Sequence, residues 1–128
     1  MTSSAVTTGV DLVDCARIAR LMGEDSTFLN LTFTAVEQEY CQKDPARLGA
    51  RWAAKESAMK ALGQGIGKIA PLDIEVSTDE NGAPTMKLLG SAKARAQELG
   101  ITDWSVSLSH ESGFAMALVV MMKGGRDV

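Results

Sequence analysis

The 128-residue chain has only two cysteines and a single histidine. Cys15 and Cys41 are too few for a disulfide framework, and their spacing does not suit a zinc site. They read as small apolar residues near core faces. One histidine, His110, excludes a His-rich metal site, and no nucleophile-elbow motif accompanies it to support Ser–His–Asp or Cys–His catalysis. No apolar run approaches the roughly 20 residues that span a bilayer. The longest, Phe114 to Met122, has nine. The N-terminal residues lack the basic and apolar regions of a secretory signal, so a cytoplasmic location is expected. A net charge of −3 argues against a general nucleic-acid grip. Internal repeats, low-complexity tracts and linkers are absent.

What is present is the composition of an ordinary soluble domain, 45% apolar and 23% charged. The length predicts one domain over 1–128 with one core, its ends at 1–4 and 124–128 flexible. Charge is unevenly spread. Between residues 42 and 68 stand Lys43, Arg47, Arg51, Lys55, Lys60 and Lys68, against Asp44 and Glu56 alone. A local basic excess in an acidic protein points to a small anionic ligand.

The element pattern begins with a strand over Ala5–Leu12. Asp14 then caps a helix over Cys15–Met22, with Ile18, Leu21 and Met22 on its apolar stripe and Arg17 and Arg20 on another face. Thr34 and Glu37 have capping-box spacing for a helix ending near Cys41. The strongest helix starts at Asp44-Pro45 and runs to Leu62, with Gly63 as its stop. Leu72, Ile74 and Val76 alternate with polar residues, Asn81-Gly82 signals a hairpin, and Pro84–Leu89 returns. Ser91–Leu99 reads as a helix closed by Gly100. Trp104, Val106 and Leu108 alternate with serines in a further strand. Phe114–Met121 is a continuous apolar strand, expected to be covered on both faces. The predicted fold class is α+β, an antiparallel sheet packed against one long helix and shorter helices.

Candidate chemistry centres on RWAAKESAMKALG, residues 51–63. Arg47, Arg51 and Lys55 step by four and predict a basic ridge, and Glu56 and Lys60 are neighbours at the same spacing. Glu56 also lies four residues after Trp52, an unusual setting for a solvated acid. The glycines of GQGIGK do not fit a Walker loop, which needs a preceding strand and a Ser or Thr after its Lys. They suit either a helix stop or a turn whose amides approach a phosphate. Asp11 is a carboxylate among apolar strand neighbours, and His110 continues the inward parity of its strand.

These segments resemble the holo-acyl-carrier-protein synthases. GVDLVDCARI, residues 9–18, is similar to their opening motif, and FTAVEQEYC, residues 33–41, to their FTxxExxY segment. RWAAKESAMKALGQGIG resembles their signature helix, NGAP their hairpin turn, and SVSLSHESGFAMALVV their closing strand pair. The resemblance implies transfer of 4′-phosphopantetheine from coenzyme A to a serine of an apo acyl carrier protein or carrier domain, in support of fatty acid synthesis. It implies Mg²⁺ held by Asp11 and Glu56, with Lys60 on the phosphates. Arg51, Gly63, Gly65, Pro84 and His110 would contact coenzyme A. Arg17, with Arg20 beside it, would contact the carrier. A homotrimer with sites between subunits is implied as well, with no nucleic-acid or membrane partner. Ser57, Trp52 and Glu111 depart from the residues common in that family, and Glu111 would repel a nucleotide phosphate nearby.

The chemistry suits these residues. Breaking a diphosphate bond is mainly a matter of positioning and charge neutralisation. Mg²⁺ takes hard oxygens, so two carboxylates and two phosphate oxygens make a reasonable shell. No strong base for the serine hydroxyl is evident, and Glu56 acting through water is the candidate. Two other readings are open: a non-catalytic coenzyme A- or nucleotide-binding regulatory domain, which would retain the basic ridge but would not need both Asp11 and Glu56, and a Mg²⁺-dependent diphosphate hydrolase using water as nucleophile.

Overall fold

In the computed structural model, residues 4–124 are described. Most of both tails expected to be flexible therefore lies outside the described residues. Gly124, at the edge, donates its amide to Gly100 O at 2.8 Å.

The elements run β1 (Val6–Asp14), α1 (Cys15–Glu24), α2 (Thr27–Thr32), α3 (Ala35–Cys41), α4 (Pro45–Leu62), a 3-10 turn (Pro71–Asp73), β2 (Ile74–Thr78), β3 (Pro84–Leu88), α5 (Gly90–Leu99), β4 (Ile101–Glu111) and β5 (Phe114–Lys123). There are two antiparallel sheets rather than one: a three-stranded sheet ordered β1-β5-β4, and the β2–β3 hairpin. Trp104 Nε1 donates to Met86 O at 2.7 Å and ties the hairpin to β4.

Local signals account for the helices. Thr34 and Glu37 form both bonds of the capping box at α3. Asp44 accepts from Ala46 N at the start of α4, and Gly63 closes that helix at φ 72°, where a side chain would be strained. α5 has no cap from its own N-cap residue Leu89. Asp73 supplies it instead, accepting from the Ser91 amide at 2.8 Å and from its hydroxyl at 2.7 Å.

α4 is the core of the molecule. Thirteen of its eighteen residues are buried. Below it lies the inner face of the three-stranded sheet, with Val13, Ala117, Val119 and Val106 buried there. Side chains alternate across a strand, so the other face of β1 and β5 points away from α4. Val10, Leu12, Phe114, Met116, Leu118 and Met122 are all exposed on it. The expectation that β5 is covered on both faces is therefore not met within one chain. Its apolar continuity serves α4 on one side only.

Candidate functional site

Asp11 lies within β1, not at its end, because that strand continues to Asp14. It pairs in register with Ala117 of β5, and Gly9 lies on the same face two residues earlier, opposite Val119. A β-carbon at Gly9 would sit 1.8 Å from the Ser57 backbone oxygen. Glycine is what lets α4 approach the strand this closely. The Ser57 hydroxyl then donates to Ala117 O at 3.0 Å, fastening α4 to the neighbouring strand.

That seating brings Glu56 and Lys60 beside Asp11. Lys60 Nζ donates to Val10 O at 2.8 Å and to Asp11 Oδ1 at 3.3 Å. The expected Glu56–Lys60 helix pair is thus replaced by a pair across the helix–strand junction, since the strand offers both a carbonyl and a carboxylate. Among the described residues, the half-buried Glu56 carboxylate makes no hydrogen bond or ion pair. Burial pushes its pKa above the ordinary value, the charge of Asp11 adds to this, and Lys60 and Arg17 oppose it. Glu56, Lys60, Gly63, Gly65 and Ile66 line a cavity of about 420 Å³. The loop of GQGIGK therefore forms one wall, while Lys68 is exposed and does not line it.

Two neighbouring carboxylates, Glu56 on the cavity wall without a partner and Asp11 beside it on Lys60, suit a divalent cation. Among the described residues, no group of three or more His, Cys, Asp or Glu is placed to hold a metal ion. The pair therefore fits an ion that takes its remaining ligands from water and phosphate, as Mg²⁺ does, and not one caged by protein.

Arg51, Pro84 and His110 are elsewhere. With Tyr40, Arg47 and Thr78 they line a second cavity of about 470 Å³. Arg51 is 3% exposed, its Nη2 donating to Thr78 Oγ1 at 2.8 Å while Nε has no partner. Its guanidinium carbon lies 4.4 Å from the centre of the Tyr40 ring, and that of Arg47 lies 5.2 Å from the same ring. His110 pairs with Ala115 on the inward parity but is exposed, because β4 ends one residue later. The basic ridge is also corrected. Only Arg47 is exposed, while Arg51 is tucked under Tyr40 and Lys55 is fully buried against Glu37. Spacing reveals a shared helix face but not what covers it.

The candidate residues thus fall into two groups. Asp11, Glu56, Lys60, Gly63 and Gly65 converge, and Arg51, Pro84 and His110 converge separately. Arg17 reaches the first group through its charge on Glu56, and Arg20 is exposed on α1. Tyr40, Arg47 and Thr78 join the second group without being singled out by the sequence as ligand residues. Tyr40 stood in the FTAVEQEYC segment, and only the packing of α3 on α4 brings it to Arg51.

The model of the 4′-phosphopantetheinyl transferase superfamily matches residues 7–119. A holo-acyl-carrier-protein synthase of Herpetosiphon aurantiacus is 45% identical over 123 residues, covering 90% of this chain and 97% of that one. The same enzyme of Syntrophus aciditrophicus is 47% identical over 125 residues, covering 94% and 97%. Among solved structures, the Helicobacter pylori holo-acyl-carrier-protein synthase in complex with coenzyme A superposes with a TM-score of 0.81 at 33% identity, covering 89% of this chain and 98% of that one. With its seating of α4 on β1 and its match to these proteins along nearly the whole length, the chain belongs to the 4′-phosphopantetheinyl transferase superfamily, among the holo-acyl-carrier-protein synthases.

Proposed function

We propose that this enzyme moves 4′-phosphopantetheine from coenzyme A to a serine of an apo acyl carrier protein or carrier domain, releasing adenosine 3′,5′-bisphosphate. The observation that carries the reading is that Glu56 and Lys60 line one cavity with Gly63 and Gly65, with Asp11 bonded to Lys60 and its charge felt by Glu56. Asp11 and Glu56 would hold Mg²⁺. That ion supplies charge neutralisation on the diphosphate when bound. Lys60 adds a mobile positive charge that can turn from Asp11 to the phosphoryl oxygens. Gly63 and Gly65 wall the same space, although the Gly63 and Gln64 amides are spent on the Lys60 and Met59 carbonyls that close α4. Glu56 takes the serine proton through water.

Arg51, His110 and Pro84 bind the nucleotide end of coenzyme A. A buried Arg51 with an unpartnered Nε is ready to receive an anion. Because these residues line a separate cavity, we assign the complete site to neighbouring subunits of a homotrimer, the apolar outer face of β1 and β5 being covered in the assembly. Arg17 and Arg20, both exposed on α1 next to β1, would receive the acidic carrier. Substrates of this kind fit a cytoplasmic enzyme of fatty acid synthesis, and among the described residues no helix is long and apolar enough to cross a membrane.

The test is a mass measurement. An apo carrier protein should gain about 340 Da, only with Mg²⁺ and coenzyme A present. Asp11→Ala and Glu56→Ala should each lower that rate at least about a hundredfold with the fold intact. Cleavage of coenzyme A with no gain in carrier mass would favour a diphosphate hydrolase. Binding of coenzyme A without either change would favour a regulatory domain.

A further inference from the structure

Lys55 and Glu37 form an ion pair to which the phosphate chemistry gives no role. Both side chains are fully buried, with Nζ 2.8 Å from Oε1. The pair is saturated. Lys55 Nζ donates also to the backbone oxygens of Pro71 and Ile74. Glu37 Oε1 accepts from Thr34 N at 2.8 Å, and Oε2 accepts from Val76 N at 2.7 Å. One pair of side chains therefore ties α4 to the start of α3, to the Pro71–Asp73 turn and to β2.

Such a pair is a poor source of stability. Desolvating two charges costs about as much as their attraction returns, and an apolar pair of similar volume often does as well. What the saturated pair does supply is geometry, because an ammonium with three fixed acceptors has one place to sit. Lys55 immediately precedes Glu56, and Ser57 immediately follows it. Successive side chains leave a helix about 100° apart. Lys55 is anchored to α3 and β2 on one side, and Ser57 to Ala117 O of the sheet on another. Glu56 is held between the two anchors, with Lys60 one turn further on. Rotation of α4 about its axis, or a slide along it, breaks one anchor.

We propose that the buried Glu37–Lys55 pair is a positioning device for the transfer reaction. It sets the rotation and axial placement of α4 so that Glu56 and Lys60 meet Asp11. The proposal rests on the functional reading above, and its test separates the two. Either single substitution would strand a buried charge, so both are replaced together, Glu37→Gln with Lys55→Met. We expect a folded variant whose crystal structure shows Lys60 Nζ moved out of reach of Asp11 Oδ1, 3.3 Å away in the wild type. Its kcat for carrier modification should fall about 100-fold, the effect of an ångström of misplacement, with KM for coenzyme A changed by less than about threefold.

A folded double variant that keeps the wild-type separation and kcat overturns the proposal. So does a parallel fall in kcat and melting temperature with the separation unchanged, which marks a merely structural pair. If the double variant does not fold, Glu37→Asp keeps both charges and shortens the reach by one methylene. It should lose kcat by about tenfold or more at unchanged KM for coenzyme A, and a normal kcat there overturns the proposal. If the wild type itself modifies no carrier, the functional reading fails. The Lys60–Asp11 separation in the variants then decides the positioning claim alone.

Discussion

Glu56 meets two opposed demands. Its proposed role needs an ionised carboxylate, while burial and the neighbouring charge of Asp11 favour the protonated form. A glutamate whose folded pKa lies above its unfolded value binds more protons in the folded state. Stability therefore falls as pH rises from the unfolded value through the folded one, and stays lower above it. Glu56→Gln should then melt higher than the wild type at pH 7 in the presence of a chelator. The difference should vanish below about pH 4, where the carboxyl is protonated in both states. Melting curves at the two pH values check this, and a variant that melts lower at pH 7 contradicts it. Lys60 and Lys68 offer a second comparison. Lys60 Nζ sits on Asp11, and Lys68 is exposed beyond the glycine turn. Lys60→Ala should lose about 100-fold in kcat and Lys68→Ala less than about threefold. Equal losses would mean that positive charge acts only diffusely.

At the scale of elements, the site depends on how closely α4 lies on β1. Gly9→Ala places a methyl group against the Ser57 backbone, where no side chain can give way. It should cost about 3 kcal/mol in urea unfolding, and it should reduce activity further by lifting Glu56 from Asp11. Gly23 is the control. It lies exposed near the end of α1, and a β-carbon there meets nothing within 4 Å. Gly23→Ala should stabilise by about 0.5–1 kcal/mol with activity unchanged. A neutral Gly9→Ala would mean that the seating is looser than the contact distance implies.

For the whole molecule, the outer face of the three-stranded sheet is the feature to explain. Val10 and Leu12 of β1 lie opposite Leu118 and Met116 of β5, and all four are exposed. An exposed apolar patch of this kind is the mark of an interaction surface. Leu118→Asp should convert the proposed trimer to monomer in sedimentation velocity, with loss of most activity although Leu118 lines neither cavity. Glu56→Ala and His110→Ala proteins, each inactive alone, should regain part of the activity when mixed and reassembled. A wild-type monomer at micromolar concentration would refute both expectations.

Much of the architecture was legible in order along the chain. The capping box at Thr34 and Glu37, the Asp44-Pro45 start and Gly63 stop of α4, and the strand parities depend on neighbours a few residues apart, and the structure contains them except at Leu72, which lies exposed in the Pro71–Asp73 turn before β2. The motifs around Asp11 and Glu56 pointed to the family for the same reason. α2 went unseen, being six residues long with no side-chain cap bond to announce it. Tertiary structure decided what spacing cannot express: that Lys60 pairs with Asp11 and not with Glu56, that Arg51 and Lys55 are buried, that β5 is bare on one face, and that Glu56 and Lys60 line one cavity while Arg51, Pro84 and His110 line another. Each of these depends on a contact between elements far apart in the chain. A helix pattern states which side chains share a face, and only packing determines whether that face meets water, a carboxylate or another strand.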